Sequence, residues 1–215
     1  MANDFLNISK MDYLDEDSKK FDLLIKELQK FYKKSSGNTH SVNNFELIKC
    51  QFQVKLGRRF GYKESSGGEC NLLEVQYAFR YDIRNKYDPQ PIIEEYRAYP
   101  FCIFKHSTDL GHVIIRPETL ADKVSELFKP VEIDFKSHKK FSFKYFVMAD
   151  NEALTRKEIP DELLTFLNTK KGLSIEFIGN LCLIRNSKTV DLENGLDLCQ
   201  TAIEIQKILC KKRKE

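Results

Sequence analysis

Phe101-Cys-Ile-Phe-Lys105, Val113-Ile-Ile-Arg-Pro-Glu118, Val131-Glu-Ile-Asp-Phe135 and Phe141-Ser-Phe-Lys-Tyr-Phe-Val147 are four short apolar runs, separated by polar turns and one short helical pattern. Short runs rich in Phe, Ile and Val and bounded by turn formers read as strands. They decide the fold. The segments before them read as strands able to pair with them, and those after as helices and a hairpin able to cover them.

Upstream, the side-chain period is two. Phe52, Val54 and Leu56 alternate with Gln51, Gln53 and Lys55. After a Gly- and Ser-rich turn, Leu73, Val75, Tyr77, Phe79 and Tyr81 alternate with polar residues or Ala. Two strands with one face toward a core follow, joined as a hairpin. Ile92 to Tyr99 makes a third strand, interrupted at Pro100 and resumed through Phe104, because proline cannot donate to a ladder. Further back, Phe21, Leu24, Ile25, Leu28, Phe31 and Tyr32 recur at helical spacing, with Lys20, Lys26, Glu27, Lys30 and Lys34 opposite. This is an amphipathic helix ending at Ser35-Ser-Gly-Asn38. It docks on the sheet by default, since an exposed apolar stripe of that size is unusual.

Downstream, Pro117 opens a helix that buries Leu120, Val124, Leu127 and Phe128 and stops at Pro130. A second helix runs from Ile159 or Pro160 to about Thr169. Leu173–Ile178 and Leu181–Arg185 form a hairpin across Gly179-Asn180. A last helix runs from Asp191 to about Lys211, with Leu198, Ala202, Ile205 and Leu209 on a wide buried face. The expected class is α+β, a mostly antiparallel sheet built from an N-terminal meander with N-terminal, middle and C-terminal helices packed on it. Residues 1–40 read as an arm plus the amphipathic helix, and 41–215 as one α+β domain with a possible subdivision near 117–130.

The chain has 215 residues, long enough to bury roughly 70% of its unfolded surface without staples. Its 35 basic and 32 acidic residues are interspersed, which gives no strong nucleic-acid signal. No run approaches a transmembrane segment, and the first residues lack the pattern of a secretory signal. Six cysteines, none in a C-x-x-C pair, mostly fall inside apolar patterns. Buried thiols in a cytoplasmic protein are expected from that usage.

Candidate chemistry is sparse. Gly57-Arg-Arg-Phe-Gly61 reads as a glycine-flanked turn at a strand end, where Arg58 and Arg59 could face an anion or an acidic partner. Arg116 and Glu118 flank a proline corner and are the other two binding candidates. Cys102, His106 and His112 have soft-ligand side chains, but their spacing fits no zinc signature. No phosphate loop, nucleophile elbow or metalloprotease motif occurs, so neither cofactor, metal nor catalytic residue is assigned.

The order of Gly57-Arg-Arg-Phe-Gly61, Val75-Gln-Tyr-Ala-Phe-Arg-Tyr81, Val113-Ile-Ile-Arg-Pro-Glu118, Val131-Glu-Ile-Asp-Phe135, Phe141-Ser-Phe-Lys-Tyr145 and the closing hairpin and helix resembles a family of uncharacterised bacterial proteins. The resemblance implies a bacterial protein and brings no catalytic residues. The leading functional expectation is a non-catalytic binding or interaction module, with a protein partner on the N-terminal helix or the Arg58/Arg59 turn. The alternatives are a toxin-immunity-type inhibitor and an enzyme whose site is assembled from distant loops.

Overall fold

The computed structural model describes residues 15–36, 42, 44–49, 53–65, 67–81, 93–118 and 133–211. Its frame is an eight-stranded antiparallel sheet in the order β1-β2-β3-β4-β8-β7-β5-β6. The strands are β1 (Lys33–Ser35), β2 (Gln53–Lys63), β3 (Glu69–Tyr81), β4 (Ile93–Lys105), β5 (His112–Pro117), β6 (Tyr145–Ala149), β7 (Leu173–Ile178) and β8 (Leu181–Asn186). The meander β2 to β4 is as expected; β1 is not, since Lys33–Ser35 falls where the amphipathic helix is expected to end, and α1 stops at Phe31 instead. The β7–β8 hairpin then inserts between β4 and β5, so these sequence neighbours do not pair.

The helices are α1 (Asp15–Phe31), α2 (Glu46–Lys49), α3 (Lys139–Ser142), α4 (Glu152–Glu158), α5 (Asp161–Thr169) and α6 (Leu192–Cys210), with a 3-10 turn, η1, at Lys136–His138. The fold is α+β. A large buried cluster on one sheet face joins Phe21, Leu24 and Leu28 of α1 to Leu163, Leu164 and Leu167 of α5. Leu198, Ala202, Ile205 and Leu209 of α6 complete it. Each fully buried Phe or Leu contributes about 1.5–3 kcal/mol, which is why the stripe of α1 lies on the sheet. Phe31, expected in that stripe, is 70% exposed at the last turn of α1. The chain turns immediately afterwards into β1.

Two polar ties fix α6 to this face. Gln206 of α6 accepts from the Glu69 N–H (2.7 Å) and donates to the Glu69 and Lys105 carbonyls (2.9 and 2.8 Å). Tyr62 donates to the Cys199 carbonyl (3.0 Å). Cys70, Cys102, Cys182 and Cys199 are all buried here as free thiols, and burial pushes Cys70, Cys182 and Cys199 well above the ordinary thiol value.

The opposite sheet face carries a smaller cluster: Leu73, Val75 and Tyr77 of β3, Phe101 and Ile103 of β4 and Leu183 of β8, under Val42, Phe45, Leu47 and Ile48 at α2. Glu176 of β7, fully buried, holds α2 in place by accepting from the N–H groups of Glu46 (2.9 Å) and Leu47 (2.7 Å).

Three local expectations change. Pro100 does not interrupt β4, which runs continuously opposite β3. Its missing N–H faces the side where pairing with β8 has not begun; that pairing starts at Phe101. Phe141 to Val147 is not one strand. Phe141 sits in the short α3 and β6 starts at Tyr145, and the two rings stack at 5.3 Å across the turn between them. Of the strand expected at Val131–Phe135, Val131 and Glu132 lie outside the described residues, and Ile133–Phe135 joins no ladder, held by the Ile133 N–H on the Val147 carbonyl (2.9 Å). The helix expected to bury Leu120, Val124, Leu127 and Phe128 lies outside the described residues.

Candidate functional site

Arg58 and Arg59 do not form a turn. Both lie within β2, just past a register shift between Leu56 and Arg59, and they leave opposite faces of the sheet. Gly57 permits the distortion: a Cβ there would stand 2.8 Å from a Glu74 carboxylate oxygen. Arg58 turns toward α1. Its Nε donates to buried Glu74 (2.8 Å), its guanidinium pairs with Asp22 and reaches the Ser18 carbonyl (2.8 Å), and it covers the Phe21 ring at 4.9 Å. Arg58 is thus an internal tie between sheet and helix. Glu74, its buried partner, carries no signal in the sequence, because in an alternating strand it reads as a solvated residue.

Arg59 stands opposite Leu73, so it leaves the α2 face, and partial desolvation lowers its pKa. From there one cross-strand row crosses the sheet. Leu73 pairs with Phe101, Phe101 with Arg185, and Arg185 with Ser174. Carrying the β5–β7 register on by one residue sets Arg116 level with Ser174, and Arg116 pairs with Phe146 of β6. Directly opposed residues share a face. The row Arg59, Leu73, Phe101, Arg185, Ser174, Arg116, Phe146 therefore lies on the α2 side. It brings Arg59 and Arg116 onto one line and adds Arg185 between them. Val42, Phe45, Leu47 and Ile48 pack over Leu73 and Phe101, between Arg59 and the rest.

What remains is a compact group: Arg185 on β8, Ser174 on β7 and Arg116 on β5. One strand lies between the two arginines, so their backbones are about 10 Å apart, within joint reach of one ligand. Each guanidinium sits over an aromatic ring, Arg185 over Phe101 at 5.7 Å and Arg116 over Phe146 at 4.7 Å, which orients the planar fork. The Nε of Arg185 is buried and has no hydrogen-bond partner among the described residues. A buried guanidinium donor without an acceptor costs free energy, and a carboxylate or phosphate oxygen removes that cost. Glu176, in the adjacent row, is already committed to α2 and to His112 Nε2 (2.9 Å). Glu118 lies just past β5, its N–H on the Lys144 carbonyl (3.0 Å), away from Arg58 and Arg59.

The histidines considered beside Cys102 are separated. Cys102 contacts Cys199 (Sγ to Sγ 3.7 Å) in the large core. His106 is buried edge-on against Phe177, and burial lowers its pKa to about 4, so it is neutral. His112 lies on the α2 face, with Nδ1 3.6 Å from Asp150. Among the described residues no group of three or more His, Cys, Asp or Glu side chains is arranged to hold a metal, and no helix is long and apolar enough to cross a membrane. Comparison of the chain with protein-family models, with curated proteins and with solved structures returns no match.

Proposed function

We propose that the protein is a non-catalytic binding module that takes an acidic group of a partner protein between Arg185 and Arg116. The observation that carries this reading is the buried Arg185 Nε, which has no acceptor among the described residues, in register with Ser174 and Arg116 on the sheet face that α2 packs against. Stacking on Phe101 and Phe146 supports bidentate recognition, for which an arginine fork suits a carboxylate. The setting proposed with it is a reducing cytoplasm, in a bacterium as the resemblance implies. Four thiols used as core packing groups support such a compartment.

The test is fluorescence anisotropy of a labelled hexaglutamate peptide titrated with the protein. Saturable, salt-sensitive binding is expected, weakened about tenfold or more by Arg185→Gln and by Arg116→Gln. Arg59→Gln, beyond α2, changes it little. Binding that Arg185→Gln leaves intact would refute the reading.

One observation favours a second reading, an enzyme. Buried Glu176 holds Nε2 of His112, leaving Nδ1 toward Asp150, an arrangement able to orient a general base. A turnover that co-purifies with the protein and disappears in His112→Gln would establish it in place of the first.

A further inference from the structure

Beside β6 the surface changes character. Lys136 of η1 and Lys139 and Lys140 of α3 are exposed, and Phe143 closes α3 with its N–H on the Lys139 carbonyl (2.9 Å) and its side chain 75% exposed. Lys139 and Lys140 precede Phe143 by four and three residues, the spacing that sets side chains together on a helical turn. Lys144 follows. Its Nζ donates to the Asn168 carbonyl at the end of α5 (2.7 Å), which brings it beside exposed Lys171. Burial first, and then repulsion from Lys171, lower the Lys144 pKa. Among the described residues no carboxylate forms an ion pair with Lys136, Lys139, Lys140 or Lys171. The neighbouring carboxylates are engaged elsewhere: Asp161 stands 3.7 Å from His138 and Asp197 pairs with Lys170.

We infer that this face docks on an anionic lipid bilayer, with Phe143 entering the acyl boundary and the five lysines resting on the headgroups. An apolar ring inside a collar of cations matches a surface that is negative outside and apolar beneath. The cations are all lysines, compact charges suited to a diffuse field rather than to bidentate phosphate recognition. A single exposed aromatic does not make the stacking series on which single-stranded nucleic acid is read. This surface is distinct from the arginine group, and neither depends on the other.

The experiment is co-sedimentation of the full chain with phosphatidylcholine vesicles with and without phosphatidylserine, alongside a polyuridine oligonucleotide. Binding to the anionic vesicles, lost on raising salt, is expected. The pair Lys139→Gln and Lys140→Gln weakens it about 30-fold, at about fivefold per lysine, and Phe143→Ser about tenfold. These positions are exposed, so the thermal melts should match the parent. Lys136→Gln with Lys171→Gln provides an independent pair with the same expected loss. Equal binding to neutral vesicles, no binding to either, wild-type affinity in the folded variants, or capture of the oligonucleotide without the vesicles would each overturn the inference.

Discussion

Gly195→Ala tests whether α1 is part of the domain core. Gly195 lies in the first turns of α6, directly against Leu24 of α1. A Cβ added there would stand 2.4 Å from Leu24 Cδ2, 2.9 Å from Cδ1 and 3.2 Å from Cγ. Comfortable carbon contacts are about 3.5–4.0 Å, so roughly 1 Å of room is missing. Leu24 is fully buried between Phe21 and Leu28 and cannot swing into solvent. Overpacking of this kind costs about 1–3 kcal/mol, while replacing a helical glycine by alanine contributes about 1 kcal/mol in the other direction. The net expectation is a loss of about 0–2 kcal/mol. Leu24→Ala alone costs about 2–5 kcal/mol. In that background the hole accepts the new methyl, and Gly195→Ala should then stabilise by about 1 kcal/mol. The sign of the substitution therefore reverses between backgrounds, which urea unfolding followed by circular dichroism measures as a midpoint shift at constant slope. Stabilisation by about 1 kcal/mol in both backgrounds would refute the packing of α1 on α6.

Three further outcomes follow from the same structure. His106 has its pKa lowered from 6.5 to about 4 by burial. The unfolded chain thus binds the proton more readily between these values, and stability falls as pH drops from about 6.5 toward 4, by about 3 kcal/mol. His106→Leu should remove that part of the acid loss, read as the difference between two pH–stability curves; parallel curves would contradict it. Glu176→Gln replaces one of two acceptor oxygens with a donor beneath α2, leaving a buried N–H of Glu46 or Leu47 unpaired. A cost of about 1–3 kcal/mol and earlier proteolysis around residues 42–49 are expected; unchanged stability and cleavage would argue against the cap. In site-mapped alkylation of the native protein, exposed Cys210 should react far faster than buried Cys70, Cys102, Cys182 and Cys199. Comparable rates would mean that the core opens.

Much of the frame is legible from side-chain period alone. Phe21, Leu24 and Leu28 of α1, Leu73, Val75 and Tyr77 of β3 and the face of α6 are buried as their spacing says, and the hairpin turns at Gly179. Period fails where two explanations give the same spacing. Phe141, Phe143, Tyr145 and Val147 alternate as a strand would, yet Phe141 and Tyr145 are also four apart, and a helical turn followed by a strand buries both while leaving Phe143 outside. At Arg58 and Arg59, a register shift governs which guanidinium faces which side, and only the pairing with β3 reveals it.

The candidate site was less legible still. A proline corner marks Arg116 and flanking glycines mark Arg59, whereas Arg185 reads as the polar end of a strand. What joins Arg185 to Arg116 is the insertion of β7 and β8 beside β5. That is a sheet order set by packing and loop closure and not by any local pattern. Its weight comes from a buried donor, a property of the assembled face.

The central claim is that Arg185 and Arg116 together receive an acidic group, and the most direct measurement follows the arginine Nε–H signals by NMR during titration with hexaglutamate. The account predicts that the Arg185 and Arg116 signals shift and exchange more slowly, saturating together, while Arg58, already bound to Glu74, stays where it is. Movement of other signals with Arg185 unchanged, or no movement at saturating peptide, would contradict it.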